Sequence, residues 1–288
     1  MSPSERLAAA LAGKLKLFGL SPNGNSKGIS SIPGLSTQLG HSVDVVNIFM
    51  GWQQPLPVAS LNAIVALGAV PELTLEQWPA GGGVDQPLYA NSVVTSGTYD
   101  GYLTSLASAV HAWGAPLLLR YAHEMNGNWY PWAASVNGNT PASYVASWRH
   151  VHDIFVRAGA TNVLWVWSPN AGGPTPITDV YPGDDYIDII GMDGYNRGNG
   201  TSGYQSPASV FGSLLTAVHS VAPSKPVLIN ETGTSELAGD KAGWLEQLFV
   251  FVRAQSTVIG IVYSDFGNWV LNSSPQALAG AATGLGQF

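Results

Sequence analysis

Short apolar runs recur along the chain and alternate with longer segments of helical spacing. The runs are rich in Val, Ile and Leu and too short for helices, which is typical of strands buried on both faces of a sheet. We predict about eight strands from this pattern. They fall at residues 15–20, 43–50, 70–75, 117–119, 163–167, 186–191, 226–230 and 258–263.

Between these runs, apolar residues at helical spacing and capping signals predict helices. The clearest is 141–158, where Thr140 is a good N-cap, Pro141 suits the first helical position, and Gly159 follows the end. The other predicted helices are 2–12, 33–40, 99–113, 207–221 and 242–254. Residues 61–67 fit either a helix or a strand, and 81–98 are predicted to be a long loop.

The alternation of strands with helices predicts parallel strands joined by helical crossovers. We therefore expect an α/β protein with the (β/α)8 TIM-barrel fold, in a single domain over residues 1–288 with an extra N-terminal helix at 1–13. A doubly wound open sheet is the alternative. It is disfavoured because no G-x-G-x-x-G sequence opens a helix after the first strand.

Polar residues stand at the C-terminal ends of many predicted strands, where (β/α)8 barrels build their active sites. These residues are Glu76, Glu124, Asn170, Asp193, Glu231 and Asp265.

The densest chemistry lies at residues 116–132, P-L-L-L-R-Y-A-H-E-M-N-G-N-W-Y-P-W. A buried strand here delivers Arg120, His123 and Glu124 to one loop, and aromatic residues follow. A buried Arg120 needs an acceptor, and a carboxylate is the expected one. His123 and Glu124 do not form the H-E-x-x-H zinc motif, because the second His is missing and the context is a strand end.

Glu231 follows the apolar strand V-L-I-N, so its carboxylate loses water and needs a partner or a purpose. A helix cap or an ion pair is the purely structural interpretation. The ends of the fourth and seventh strands, which carry Glu124 and Glu231, can face each other across a barrel mouth. A carboxyl separation of about 5–5.5 Å defines a retaining glycosidase, and about 6.5–9.5 Å an inverting one.

Several tryptophans stand at strand ends or in loops, where they could hold a sugar ring or simply fill a core. They are Trp52, Trp78, Trp129 and Trp132.

The composition limits the classes of partner that the protein could bind. The net charge is −7 with only 10% charged residues, which argues against nucleic acid or an anionic membrane and fits a neutral ligand. The chain has no Cys, so disulfides and thiolate metal sites are excluded. No apolar run reaches the length of a membrane span. We expect a monomer that needs no cofactor and no metal.

The first 14 residues do not form a convincing signal peptide, because their short apolar part carries Glu5 and Arg6. The sequence therefore leaves open a cytosolic protein, an excised or mature domain, or export by another route.

The motif R-Y-A-H-E-M-N-G-N-W resembles the acid/base motif of glycoside hydrolase family 26, typically R-P-x-H-E-M-N-G-x-W, in the clan of retaining (β/α)8 glycosidases. W-S-P-N and Y-P-G-D-D-Y-I-D-I-I-G-M-D-G-Y-N are similar to the fifth- and sixth-strand region of that family, and K-P-V-L-I-N-E-T-G to its nucleophile strand. The resemblance spans roughly residues 15–269.

The resemblance implies that Glu124 is the general acid/base and Glu231 the nucleophile. The same resemblance implies roles for the neighbouring residues. Arg120 would support the nucleophile, Tyr195 would hydrogen-bond it, and His123 would touch it or the sugar. Trp129 would line the site, and Asp193 would help to bind the glycone. We also expect Trp78 to bind substrate.

The sequence departs from the family pattern at two positions. Tyr121 follows Arg120 where the family usually has Pro, and the eighth strand reads V-Y-S-D-F-G where the family often places a Trp. Tyr263 is therefore expected to replace that Trp as the floor of the −1 subsite.

The resemblance implies a retaining β-glycanase of the mannanase type, acting on a neutral polysaccharide outside the cell. We expect β-1,4-mannan as substrate, with β-1,3-1,4-glucan or β-1,3-xylan next. The alternative from a different class is a non-catalytic carbohydrate-binding barrel within a larger surface or virion assembly.

Overall fold

Eight parallel strands form a closed barrel in the computed structural model, which describes residues 1–79, 81–198 and 203–288. Neighbours in sequence are neighbours in the barrel, and the last strand pairs with the first. The strands are β1 (Leu17–Pro22), β2 (Val45–Gly51), β3 (Val70–Glu76), β4 (Leu117–Tyr121), β5 (Val163–Trp167), β6 (Ile189–Asn196), β7 (Val227–Thr234) and β8 (Val258–Asp265). The predicted (β/α)8 TIM barrel is confirmed.

Helices surround the barrel. They are α1 (Pro3–Leu11), α2 (Ile32–Leu39), α3 (Val58–Ala66), α4 (Asn91–Thr95), α5 (Asp100–Trp113), α6 (Pro141–Arg157), α7 (Pro207–Val221), α8 (Lys241–Ala254) and α9 (Pro275–Leu285). The predicted cap of α6 is present, since the Thr140 side chain accepts a 3.1 Å hydrogen bond from the Ser143 backbone N–H. The crossover from β5 to β6, whose residues are all described, contains two short 3-10 helices and no α-helix.

An apolar layer fills the N-terminal end of the barrel interior. Every strand contributes to it, and α1 packs against it from outside through Leu7 and Ala10. Its strand residues are Leu17, Val45, Val70, Leu118, Val166, Ile189, Leu228, Ile259 and Val262. The extra N-terminal helix predicted at 1–13 therefore closes the end of the barrel opposite the strand C-termini.

A polar layer lies directly above this apolar layer. Because side chains alternate along a strand, the residue two positions further on points to the same face. In five strands, and directly after β5, that residue is polar and fully or almost fully buried: Asn47, Glu72, Arg120, Ser168, Asn230 and Ser264. The barrel interior thus changes from hydrocarbon to hydrogen-bonding groups as it approaches the strand C-termini.

The structure resolves one ambiguous element, corrects one predicted loop and adds one helix. Residues 58–66 are helical, which resolves the ambiguous stretch at 61–67. The long loop expected at 81–98 contains a 3-10 turn at Pro87–Tyr89 and the helix α4. That helix is too short to show periodicity and is held by tertiary contacts, since the Asn91 amide donates 3.0 Å to the Trp132 carbonyl. The sequence pattern did not predict α9.

Among the described residues, no helix has the length and apolarity to cross a membrane.

Candidate active site

The loop after β4 turns sharply and carries the first candidate carboxyl. Ala122 and Glu124 both adopt positive φ, at 44° and 52°. Non-glycine residues rarely adopt this conformation, and it persists only where the surroundings enforce it. The Glu124 backbone N–H donates 2.7 Å to the Ser168 carbonyl, and the Asn126 amide donates 3.0 Å to the Asn170 carbonyl. The end of β5 therefore holds the loop in this shape.

A cavity of about 570 Å³ opens at the C-terminal ends of the strands. Both candidate glutamates, Glu124 and Glu231, lie in its wall. The remaining lining residues are Phe49, Trp129, Tyr130, Asn170, Gly172, Tyr195, Arg197, Phe266 and Trp269. Aromatic rings with a few polar groups among them are typical of sites that bind small molecules and sugars.

Glu231 is held by a guanidinium and a hydroxyl. Arg120 donates through Nη2 to Glu231 Oε1, and the Tyr195 hydroxyl donates 2.7 Å to Oε2. Burial raises the pKa of Tyr195, so the hydroxyl keeps the proton that it donates. Glu231 thus accepts one charge-assisted and one neutral hydrogen bond.

Arg120 is fully buried beneath the cavity and uses three nitrogens. Its Nε donates 2.9 Å to Thr74 Oγ1 and its Nη1 donates 3.0 Å to Asp193 Oδ2, in addition to the bond to Glu231. Burial opposes the charged guanidinium, but the carboxylates of Glu231 and Asp193 outweigh it and raise the pKa of Arg120. Arg120 is therefore a permanent cation that anchors two carboxylates from β6 and β7.

Glu124 is surrounded by neutral donors. The Asn170 amide lies 2.5 Å from Oε1, and the Trp129 indole N–H donates 2.5 Å to Oε2. Burial, and then the negative charge of Glu231, raise the pKa of Glu124 to about 7. A carboxyl with this pKa can donate a proton near neutral pH and accept one afterwards.

His123 connects the two sides of the site from behind the cavity wall. Its Nε2 lies 3.1 Å from the Tyr130 hydroxyl and 3.7 Å from Glu231 Oε1. Burial, and then the charge of Arg120, lower the pKa of His123 well below its usual value. His123 is therefore a neutral imidazole that positions its neighbours.

Close approach explains one glycine of the loop. A Cβ on Gly127 would lie 2.5 Å from the ring of Trp129. Any larger residue here would displace the indole, and with it the hydrogen bond to Glu124.

The structure brings most of the predicted site residues together. Glu124, Glu231, Trp129 and Tyr195 line the cavity. Arg120, His123 and Asp193 lie fully buried behind them. Asp193, which is expected to help to bind the glycone, does not line the cavity, because its buried carboxylate is bound to Arg120 and accepts a 2.8 Å hydrogen bond from Ser168.

Two predicted substrate-binding residues do not reach the cavity wall. Tyr263 is fully buried, and its hydroxyl accepts a 3.3 Å hydrogen bond from the Thr234 backbone N–H. Trp78 packs edge-on against Tyr130 and Trp132. The buried ring of Tyr263 has no face open to a ligand, whereas Trp78 is half-buried and lies outside the cavity wall. The expectation for Tyr263 is therefore corrected, and substrate binding by Trp78 stays a prediction.

The sequence pattern missed several lining residues. Trp269 follows β8 by four residues, and its ring packs on Tyr195 with centroids 4.4 Å apart. Arg197 stacks its guanidinium over Tyr195 at 4.9 Å and over Trp269 at 5.6 Å. The S-D-F-G-N-W ending of β8 was the available signal for Trp269. In the described ranges, no cluster of three His, Asp or Glu side chains could hold a metal ion.

Comparison with known proteins identifies the family. The sequence model described as Glycosyl hydrolase family 26 matches residues 77–238. Endoglucanase H of Acetivibrio thermocellus is 34% identical over 273 residues, which cover 89% of this chain and 29% of that protein. A mannan endo-1,4-beta-mannosidase of Bacillus subtilis is 27% identical over 171 residues, which cover 57% of this chain and 43% of that protein. The chain thus spans less than half the length of either relative.

A solved structure shows the same fold. The mannanase man26 of Bacillus subtilis superposes with a TM-score of 0.70 at 16% identity, over 98% of this chain and 89% of that one. The resemblance inferred from the sequence motifs is confirmed. Since the family match covers more than half of the chain and includes both glutamates of the cavity, the chain belongs to glycosyl hydrolase family 26.

Proposed function

We propose that this chain is a retaining endo-β-glycanase whose principal substrate is β-1,4-mannan. One observation carries the proposal. Two glutamates share one cavity but have opposite environments. Glu231 receives a cation and a hydroxyl donor, while Glu124 has its pKa raised to about 7 by burial and by the charge of Glu231. A nucleophile and a proton donor require this difference.

In the first step, ionised Glu231 attacks the anomeric carbon and protonated Glu124 transfers its proton to the departing glycosidic oxygen. A glycosyl ester forms on Glu231. The negative charge of Glu231 is thereby removed, so the pKa of Glu124 falls and its carboxylate can act as a base. Glu124 then takes a proton from a water molecule as that water attacks the ester, which restores both side chains.

The shape of the surface supports internal cleavage of a polymer. A second cavity of about 310 Å³ shares Asn170, Gly172, Tyr195 and Arg197 with the first. A third, of about 260 Å³, adjoins it through Phe49 and Phe266. The cavity that holds both glutamates therefore adjoins further cavities through two different parts of its lining, which gives room for several sugar units of a polymer.

The relatives support a β-linked, uncharged glycan. The match to the mannan endo-1,4-beta-mannosidase of Bacillus subtilis favours mannan. The relative aligned over 89% of this chain is named endoglucanase H, which makes β-glucan the specific second candidate. The aromatic rings of the cavity wall are compatible with either sugar.

The test is release of reducing ends from mannan, galactomannan, mixed-linkage β-glucan and β-1,3-xylan. We expect hydrolysis of mannan by the wild type and none by Glu231→Ala. The matched control is Glu246→Ala, which removes an exposed glutamate of α8 and should leave the rate unchanged.

Retention of the anomeric configuration is measured in a separate experiment. Proton NMR of the first product should show the β-anomer, and a 2-fluoro glycoside should label Glu231 in a peptide mass map. Hydrolysis of glucan alone would replace mannan as substrate. Binding of glycans without hydrolysis by the wild type would overturn the enzymatic proposal.

A further inference from the structure

A buried carboxyl beneath the site has no role in the reaction described above. Glu72 lies in the polar layer, in the middle of β3, and is fully buried. The Asn230 amide nitrogen donates 2.7 Å to its Oε1. Two oxygens of this same pair, Glu72 Oε2 and Asn230 Oδ1, are buried without a hydrogen-bond partner in the part of the chain that the structure describes.

The two oxygens explain each other if Glu72 carries a proton. A carboxylate and an amide oxygen are both acceptors, so an ionised Glu72 would leave each of them unsatisfied at a cost in stability. A carboxylic acid instead donates its O–H to the amide oxygen while its carbonyl oxygen accepts from the amide nitrogen. This closes a ring of two hydrogen bonds between Glu72 and Asn230.

The surrounding charges agree with a neutral Glu72. The charged groups that act on it are Arg120 on β4 and Glu231 on β7. Arg120 already directs its Nε, Nη1 and Nη2 to Thr74, Asp193 and Glu231. Burial raises the pKa of Glu72 to about 7, although the charge of Arg120 opposes this.

Asn230 immediately precedes the candidate nucleophile at an irregularity of the strand. In the β6–β7 ladder, Met192 pairs with Ile229 and the next pair is Asp193 with Glu231, so Asn230 is the extra residue of a bulge. Bulges re-aim side chains and are common beside active sites. In this bulge Asn230 reaches down to Glu72, while Glu231 reaches into the cavity.

We propose that Glu72 is protonated and forms a carboxylic acid–amide pair with Asn230 that fixes the β7 bulge and thereby positions Glu231. Glu72 is a positioning residue, because it acts on the reaction through Asn230. This inference rests on the proposed function, in which Glu231 is the nucleophile.

Two substitutions separate hydrogen bonding from charge. In Glu72→Gln, the new amide oxygen accepts from Asn230 and the new amide nitrogen donates to it, so the ring persists without a titrating group. Glu72→Met has a similar volume but no polar group. We expect kcat to stay within about 2-fold of wild type in Glu72→Gln and to fall by about 10- to 100-fold in Glu72→Met, with KM unchanged in both.

Spectroscopy and crystallography test the Glu72–Asn230 pair without relying on activity. Infrared difference spectra of protein with isotope-labelled glutamate should show a buried carboxylic acid C=O band at pH 6 that Glu72→Gln abolishes. Crystal structures should show Glu231 still bound to Arg120 and Tyr195 in Glu72→Gln, and displaced in Glu72→Met. These measurements also serve if Glu72→Met is too unstable for kinetics.

The proposal is overturned if Glu72→Gln removes no carboxylic acid band at pH 6, or if Glu72→Gln loses as much kcat as Glu72→Met. An undisplaced Glu231 in the Glu72→Met crystal structure would also overturn it. A wild-type protein inactive on every glycan would refute the proposed function, and the infrared band and the crystal structures would still decide the role of the pair.

Discussion

The indole nitrogen of Trp129 lies 2.5 Å from Oε2 of Glu124 and donates a hydrogen bond to it. One side chain thereby combines two properties. Its ring lines the cavity, where a sugar can lie against it, and its N–H acts on the candidate proton donor. Gly127 makes the arrangement possible because it leaves room for the ring.

Trp129→Phe separates these two properties. The ring remains but the donor to Glu124 is lost. A hydrogen bond to the charged form lowers a carboxyl pKa, so its removal should raise the pKa of Glu124 above about 7. Because the proposed reaction needs protonated Glu124, the rate of the wild type should fall as pH rises through about 7. In Trp129→Phe this decline should move to higher pH in profiles of kcat/KM. An unchanged profile would contradict the role assigned to the indole N–H.

Glu231→Gln should have the opposite effect. The charge of Glu231 is the second cause, after burial, of the raised pKa of Glu124. Neutralising it removes the repulsion, so the pKa of Glu124 should fall below about 7. Carbon NMR of labelled glutamate measures this directly in the inactive variant. Coincident titration of Glu124 in both proteins would show that the two carboxyls do not interact.

Glu124→Ala should impair natural and activated substrates differently. A polysaccharide leaving group needs a proton, so its rate should fall by about 10²–10⁴-fold. A nitrophenyl glycoside departs without one, so formation of the glycosyl ester should be nearly normal, and azide should then replace water as nucleophile. The measurement compares burst kinetics on the aryl substrate with steady-state hydrolysis of mannan. Equal losses on both substrates would exclude Glu124 as the acid.

Trp269→Ala tests the corrected assignment of the aromatic wall. We expect KM to rise by about 10-fold, because loss of stacking costs roughly 1–2 kcal/mol. Tyr263→Phe is the matched control, since its hydroxyl contacts the Thr234 backbone inside the protein. That variant should keep KM and lose about 1 kcal/mol of stability at most. The reverse pattern of KM values would restore Tyr263 as the sugar-binding residue.

The pH dependence of stability should report Glu72. Its pKa is raised from 4.5 to about 7 by burial, so the folded protein holds its proton more tightly than the unfolded chain. The unfolding free energy should therefore fall by about 3 kcal/mol as pH rises from about 4.5 to 7 because of this one group. Glu72→Gln should lack this contribution. Urea melts of both proteins across this range provide the measurement, and parallel curves would contradict the prediction.

Strand ends and a few motif residues carried most of the information available from sequence. Apolar runs cannot reveal which polar residues become buried. The family resemblance assigned Asp193 to the sugar, whereas the structure places its side chain fully buried and bound to Arg120. Tyr263 was assigned to the sugar because it lies on the eighth strand, where the family often has a Trp, and this assignment was wrong. The eighth strand continues to Asp265, and only the turn beyond it brings Trp269 back over the cavity. Such placements depend on tertiary packing, which local patterns do not encode.

The positive φ angles of Ala122 and Glu124 limit which substitutions this loop can accept during evolution. Glycine would accept both conformations with less strain, so Ala122→Gly is a substitution that could stabilise the fold. At position 124 the same relief would delete the carboxyl. Selection for thermal robustness and selection for turnover therefore pull this loop in different directions, and thermostable variants are best sought on the outer helices.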